Sequence, residues 1–157
     1  MSFTDQKDSD NYISDKRCWE IIKDYIPTDK KIWGPFYCDG TQKKYFSELG
    51  FDIIHEDEDF FANNKGEVII DNPPFSLKRE VLTRCKQLDK PFILIIPTCL
   101  LSLKWFQELF KNEIQILIPT KRITFKHLKN PKKGYTPPFG SFYYCYKMNL
   151  PKDLIFI

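Results

Sequence analysis

Hydrophobic residues follow two kinds of spacing along this chain. Apolar residues that recur every three or four positions predict four amphipathic helices, over 15–26, 41–49, 76–88 and 102–110. Short apolar runs predict strands over 31–36, 51–55, 68–72, 92–96, 114–118 and 141–146. The continuous run at 92–96 is typical of a parallel strand that is buried on both faces.

The order of these elements predicts the fold class. Strands that alternate with helices predict an α/β fold, with a mostly parallel sheet and helices on both faces. No helical pattern separates 114–118 from 141–146, so we expect these last two strands to pair antiparallel. In such sheets, ligands bind beyond the carboxyl ends of the strands, where the strand order reverses. Candidate site residues should therefore lie directly after strands.

Length and composition narrow the class of protein. The chain has 157 residues, of which 42% are hydrophobic and 29% charged, so disordered and fibrous classes are excluded. The polar residues 1–11 are predicted to be a flexible tail, with one domain over 12–157. With no long apolar run and no signal-peptide pattern, we expect a soluble cytoplasmic protein, or a nuclear or host-cytoplasmic one if its source is eukaryotic or viral.

The five cysteines are scattered, with no CxxC pair and no histidine at ligand spacing. This distribution favours free thiols in a reducing compartment and predicts no metal site.

The tetrapeptide Asn72-Pro73-Pro74-Phe75 follows a predicted strand and precedes a predicted helix. Two consecutive prolines restrict the backbone and donate no N–H, so the carbonyls of Asn72 and Pro73 can point into a cleft. The Asn72 side-chain oxygen and the Pro73 backbone oxygen can each accept a hydrogen bond from one amine. Two such acceptors would stabilise the positive charge that develops on an amine during methyl transfer, and Phe75 can stack on a base.

These residues resemble the tetrapeptide of NPPF/DPPY-type amino-methyltransferases, which are class I S-adenosylmethionine-dependent enzymes with a Rossmann-like sheet. The resemblance covers roughly residues 12–146 and is closest to the compact adenine-N6 methyltransferases of bacteriophages and restriction-modification systems. It implies S-adenosyl-L-methionine as the cofactor, with Asn72, Pro73, Pro74 and Phe75 as catalytic residues. No segment is long enough for a separate target-recognition domain, so we expect low or short sequence specificity, or specificity supplied by a homodimer or a partner subunit.

The same resemblance implies a cofactor site upstream of the tetrapeptide. The segment 35–40 is similar to the family's first motif, an acidic residue followed by P-F-x-G-x-G, with Gly34 in place of the acid and Cys38 in place of the first glycine. The later acidic segment implies that Glu56 holds ribose hydroxyls and that Asp59 and Phe60 flank the adenine of the cofactor. The implied cofactor-binding residues are Tyr12, Pro35, Phe36, Tyr37, Asp39, Gly40, Glu56, Asp59, Phe60 and Asn72. The alternatives are an ordinary turn at 34–40 and a solvated acidic loop around Asp57 and Glu58.

The basic segment 121–125 resembles the family's late [KR]-R-I-x-F segment, which borders the target-base pocket. A basic stretch with an aromatic ring suits phosphate contact and base stacking, although a lysine-rich loop can also be a solvated surface. A second proline pair at 137–138 is interpreted as a structural turn, with Phe139 as a candidate lining residue. The implied residues that contact nucleic acid are Phe75, Lys121, Arg122, Phe125, Lys126 and Phe139.

Four functions are compatible with these patterns. The main hypothesis is methylation of the N6 amine of adenine in DNA. The alternatives are adenosine N6 methylation in RNA, methylation of a protein glutamine amide, and a catalytically silent fold that binds nucleic acid or scaffolds a partner subunit. The basic segment favours nucleic acid over protein, and the substitutions at Gly34 and Cys38 are the support for a silent fold.

Overall fold

The computed structural model describes residues 12–128, 130, 132, 134–135 and 139–157. The predicted tail at 1–11 and the second proline pair at 137–138 lie outside the described residues. Within them, the α-helices are α1 (Lys16–Glu20), α2 (Thr41–Glu48), α3 (Lys78–Leu88) and α4 (Lys104–Phe110). The strands are β1 (Tyr12–Ser14), β2 (Ile32–Trp33), β3 (Ile53–Ile54), β4 (Val68–Asp71), β5 (Phe92–Pro97), β6 (Ile114–Ile118), β7 (Phe125–His127), β8 (Gly134–Tyr135), β9 (Ser141–Tyr146) and β10 (Leu154–Phe156).

The central sheet has seven strands in the order β10-β6-β9-β5-β4-β2-β3. Each neighbouring pair is parallel except the two that β9 forms with β5 and β6. The predicted α/β fold with a mostly parallel sheet is therefore confirmed, and so is the antiparallel pairing of the segments at 114–118 and 141–146. The architecture is compatible with a Rossmann-like fold.

Alternate residues of β5 show how the sheet separates two apolar layers. Ile93 and Ile95 pack in one cluster with Trp19 of α1 and Phe46 of α2. Their neighbours Phe92, Leu94 and Ile96 pack in a second cluster with residues of α3 and α4. Because successive side chains of a strand point to opposite faces, helices cover the sheet on both sides, as predicted.

The predicted helix at 15–26 is wrong in its second half. The α-helix ends at Glu20, and a 3-10 turn follows at Lys23–Tyr25. The β-branched pair Ile21 and Ile22 lowers helix propensity at the break, and Pro27 prevents any continuation. Ile22 and Ile26 are nevertheless buried, because the turn keeps them on the same side of the chain as Cys18.

A small antiparallel sheet, β1-β7-β8, was not predicted. It joins β1, which precedes α1, to β7, which begins at the last residue of the basic segment 121–125. Ser14 pairs with Phe125. The strand β10 at the edge of the central sheet was also missed. None of the helices within the described residues is long and apolar enough to cross a membrane.

Candidate active site at the carboxyl ends of β2 and β4

The candidate site lies where the strand order of the central sheet reverses. From β2 the chain continues to β3 on one side, and β4 pairs with β2 on the other side. The loop 34–40 leaves the carboxyl end of β2, and the tetrapeptide leaves the carboxyl end of β4. Such a switch point is the common ligand-binding position of open α/β sheets.

Asp71, the last residue of β4, joins these two loops. Its Oδ2 accepts a hydrogen bond from the backbone N–H of Phe36 at 2.7 Å, and its Oδ1 accepts one from the N–H of Asn72, also at 2.7 Å. The side chain is fully buried, and this burial raises the pKa of the carboxyl well above its usual value, although the two N–H donors oppose the shift. Sequence reasoning missed Asp71, whose signal was an acid at the end of an otherwise apolar strand.

The Asn72 amide oxygen is buried, and no described residue donates a hydrogen bond to it. Asn72 lines a cavity of about 20 Å³ together with Tyr12, Ser14, Tyr37 and Asp39. The hydroxyl of Ser14 is likewise buried without a hydrogen-bond partner among the described residues. Buried polar atoms are normally satisfied, so two such atoms at one cavity indicate a place for a polar ligand.

The proline pair gives the tetrapeptide a defined shape. The Pro74 carbonyl accepts from the N–H of Leu77 at 3.1 Å and so closes the 3-10 turn Phe75–Leu77 before α3. Pro73 is buried, and the described residues donate no hydrogen bond to its carbonyl. The Asn72 side-chain oxygen and the Pro73 carbonyl are thus two acceptors without donors in adjacent residues.

The loop after β2 turns through residues in the left-handed backbone region. Cys38 has φ 51° and Gly40 has φ 80°, a region that suits glycine and strains other residues. Cys38 therefore has the backbone conformation that explains a glycine at this position of the resembled motif. A Cβ on Gly40 would lie 2.7 Å from the Tyr37 hydroxyl, so the Tyr37 ring packs directly on the glycine. Asp39 Oδ1 accepts from the N–H of Thr41 at 3.0 Å, at the start of α2.

Gly34 stands where the resembled motif has an acid, and a side chain at this position would displace its neighbours. A Cβ would lie 2.8 Å from Ile53 Cδ1 and 3.1 Å from both Gln42 Nε2 and His55 Nδ1. His55 Nδ1 lies 2.7 Å from the Gly34 carbonyl oxygen, and the ring is 4% exposed. Burial lowers the pKa of His55. Sequence reasoning did not identify His55 as a site residue, although it ends the predicted strand at 51–55 and directly precedes Glu56.

A second cavity, of about 70 Å³, shares the lining residues Phe36, Tyr37 and Cys38 with the first. Five of the predicted cofactor residues line it: Pro35, Phe36, Tyr37, Asp59 and Phe60. Asp59 Oδ1 accepts from the N–H of Phe61 at 2.9 Å and caps the 3-10 turn Phe60–Ala62. The lining residues that were not predicted as cofactor residues are Cys38, Asp57, Glu58, Phe61, Pro74 and Leu77.

Glu56 lies outside both cavity linings. Its carboxylate forms an ion pair with Lys65 at 3.0 Å, and its side chain is 55% exposed. The hydrogen bond from Lys65 lowers the pKa of Glu56. Lys65 also pairs with Glu58 at 2.6 Å, and Glu58, unlike Glu56, lines the second cavity.

Three predicted aromatic residues meet beside the tetrapeptide. The Phe75 ring makes edge contacts with Phe125, at 5.6 Å between centroids, and with Phe139, at 5.8 Å. Phe125 is 1% exposed, whereas Phe139 is 36% exposed. Phe125 can therefore only support the other two rings, while Phe75 and Phe139 can present ring surface to a ligand.

The predicted basic residues lie farther from the tetrapeptide. Lys121 and Arg122 are exposed and line neither of the two cavities. Lys126 pairs with Asp15 at 3.7 Å. Among the residues that the structure describes, no cluster of three His, Cys, Asp or Glu side chains is arranged to hold a metal ion.

The fold and the site define an α/β protein with a candidate ligand site at the switch point of a mostly parallel sheet. No protein-family model matches the sequence, and none of the curated proteins is significantly similar to it.

Proposed function

We propose that this chain is an S-adenosylmethionine-dependent methyltransferase of the Rossmann-like class that methylates the N6 amine of adenine in nucleic acid, with DNA as the favoured substrate. The observation that carries the proposal is the buried Asn72 amide oxygen, which has no donor among the described residues and lies at a cavity at the sheet's switch point. An acceptor in that position suits the amine hydrogens of a substrate.

The chain's own groups account for the stabilisation of the reacting amine. Asn72 Oδ1 and the Pro73 carbonyl are adjacent acceptors, and each can take one amine hydrogen. Both acceptors become more effective as positive charge develops on the nitrogen, so they stabilise the transition state more than the ground state. Asp71 holds the Asn72 backbone through its N–H, and the Pro74–Leu77 hydrogen bond fixes the following turn. Their geometry is thus set before substrate binds.

The residues around the cavities fit the donor and acceptor groups of the proposed cofactor. Phe36, which packs on the buried Phe60 ring at 5.1 Å between centroids, supplies apolar ring surface beside the Asp59 carboxylate, which suits a purine ring with an exocyclic amine. At the cavity that Asn72 lines, the buried Ser14 hydroxyl and the exposed Asp39 carboxylate can contact the polar methionine end of the cofactor. When bound, S-adenosylmethionine would supply an electrophilic methyl group.

The cavities are too small for such a cofactor without movement of their walls. Their volumes are about 20 and 70 Å³, whereas drug-sized ligands occupy about 300 Å³ or more. Tyr37 lines both cavities and covers Gly40. Rotation of the Tyr37 side chain would expose the glycine backbone and connect the two spaces, so we expect this residue to move on binding.

The aromatic rings beside the tetrapeptide are the proposed contact surface for the target base. Phe75 belongs to the tetrapeptide, and the exposed face of Phe139 lies beside it. A target base could stack on these rings once it has left its duplex stack or if it arrives single-stranded.

The proposal is tested by a product analysis in which the protein is offered three classes of substrate. The protein is incubated with methyl-labelled S-adenosylmethionine and a mixture of DNA, RNA and a glutamine-containing peptide, and the digested products are identified by mass spectrometry. We expect N6-methyladenine from the nucleic acid. Methylglutamine alone, or no binding of the cofactor in calorimetry, would contradict the proposal, and the second result would favour a catalytically silent fold.

A further inference from the structure

A concave surface of about 360 Å³ lies between α1 and the chain that follows β6. Three cationic side chains line it: Arg17 from α1, and Lys121 and Arg122 from the later segment. All three residues are exposed. Sequence analysis identified the later two but not Arg17, because it belongs to a different segment of the chain.

The charge of this groove is predominantly positive. Asp15 is the acidic side chain that lines it, and Lys126 lies 3.7 Å from the Asp15 carboxylate. Beyond that pair, Arg17 and Lys121 bring positive charge to the groove from its two walls, and Arg122 lies next to Lys121. A concentration of positive charge in a groove is the electrostatic feature that attracts a phosphate backbone.

Hydrogen bonds anchor the backbone of both walls of the groove. Tyr143 donates from its hydroxyl to the Cys18 carbonyl at 2.6 Å and so ties α1 to β9. The Cys18 thiol lies 3.8 Å from the Thr124 carbonyl on the opposite wall. Thr120 donates from both its N–H and its hydroxyl to the main-chain oxygen of Ile157. The cationic side chains therefore project from a fixed backbone.

The groove is connected to the candidate active site through both walls. Ser14, which lines the Asn72 cavity, comes directly before the first groove residue, Asp15. On the other wall, Phe125 contacts Phe75 and comes directly after Thr124. At about 3.3 Å per residue, Arg122 lies within about 10 Å of Phe125 along an extended chain. A strand whose base reaches the tetrapeptide can thus place neighbouring phosphates in the groove.

We propose that this groove binds the phosphate backbone of the nucleic acid whose adenine enters the Asn72 site, and that Arg17 contributes one of its phosphate contacts. The identity of the base rests on the proposed methyltransferase function. The phosphate contacts are measurable without methyl transfer, so the two proposals can fail separately.

The experiment measures the salt dependence of binding to a fluorescein-labelled oligonucleotide, as a duplex and as a single strand, by fluorescence anisotropy. Arg17→Ala and Lys121→Ala should each reduce the slope of log K against log salt by about 0.9 for a duplex, and should weaken binding similarly for unrelated sequences. Arg17→Lys should retain the slope because it keeps the charge. Lys104→Ala is the matched control, because Lys104 is 91% exposed on α4, which covers the opposite face of the sheet.

The possible outcomes distinguish the groove proposal from the methyltransferase proposal. If the protein methylates adenine but Arg17→Ala and Lys121→Ala bind with the native salt slope, the groove proposal is overturned. A slope that falls equally in Lys104→Ala also overturns it, because the effect would then come from net charge. If the predicted slopes are found but no methyl group is transferred, the groove proposal stands and the methyltransferase proposal fails. Circular dichroism verifies that each variant is folded.

Discussion

Replacing Asp71 by asparagine tests how the two loops of the site are held together. The native carboxyl accepts two backbone N–H bonds, from Phe36 and Asn72, each at 2.7 Å. Asparagine has nearly the same shape but offers one oxygen, so one of these N–H groups would face an NH₂ group. A buried donor left without an acceptor costs about 1–3 kcal/mol, and we expect Asp71→Asn to lose that much at a pH where the native carboxyl is protonated.

The pH dependence gives this prediction its second readout. Burial raises the pKa of Asp71 well above its ordinary value of 3.8, so the stability it contributes is present below that value and is lost as the pH rises through the folded pKa. The contribution of Asp71 to the free energy of unfolding should fall over this window by at most about 1.4 kcal/mol per pH unit. Because asparagine does not titrate, the difference in the free energy of unfolding between the native chain and Asp71→Asn should shrink as the pH rises.

Urea unfolding followed by tryptophan fluorescence measures both effects, since Trp19 and Trp33 are buried. The series runs from pH 4.5 to 8, with the exposed Asp52→Asn as a matched control that removes one carboxylate without touching the site. The reasoning is refuted if Asp71→Asn is as stable as the native chain near pH 4.5. It is also refuted if the two stability curves stay parallel across the series.

Three further changes test the loop geometry and the aromatic pocket. Gly34→Ala should lower the free energy of unfolding by about 1–3 kcal/mol, because its Cβ would meet Ile53 Cδ1 at 2.8 Å; an unchanged urea midpoint would contradict this. Cys38→Gly should stabilise the chain by up to about 1 kcal/mol, since φ 51° strains a cysteine, and a clear loss of stability in thermal melts would show that no strain is relieved. Phe139→Ala should weaken binding of an adenine-containing oligonucleotide by about fivefold or more while leaving the melting temperature nearly unchanged, because the ring beside Phe75 is 36% exposed; equal affinity in anisotropy titrations would exclude stacking.

The sequence predicted the elements whose patterns are local. The strands at 114–118 and 141–146 have the predicted bounds, and the helix that starts at Thr41 begins after Gly40 as expected. Each of these elements has a clear apolar period or a glycine at its boundary, so neighbouring residues are enough to define it. The position of the tetrapeptide at the end of β4 follows from the same kind of local signal.

The missed features depend on tertiary contacts. Asp71 bonds to Phe36 because β2 and β4 are neighbours, a pairing that no local pattern reveals. Strand β1 exists because Tyr12–Ser14 pairs with Phe125–His127, far along the chain. The ion pair that Lys65 forms with Glu56, a residue that the resemblance assigns to the cofactor, is likewise absent from any local pattern. Charge pairs between separate segments require the folded chain to be known.

The transfer rate of the Asn72→Ala variant measures what the Asn72 oxygen contributes to methyl transfer. Single-turnover formation of N6-methyladenine on one adenine-containing oligonucleotide is compared for the native chain, Asn72→Ala and Asn64→Ala, whose residue is exposed and lies away from the cavities. Loss of one of two acceptors for the reacting amine should slow transfer by about a hundredfold or more, with the Asn64→Ala rate nearly unchanged. Equal rates for Asn72→Ala and the native chain would contradict the account.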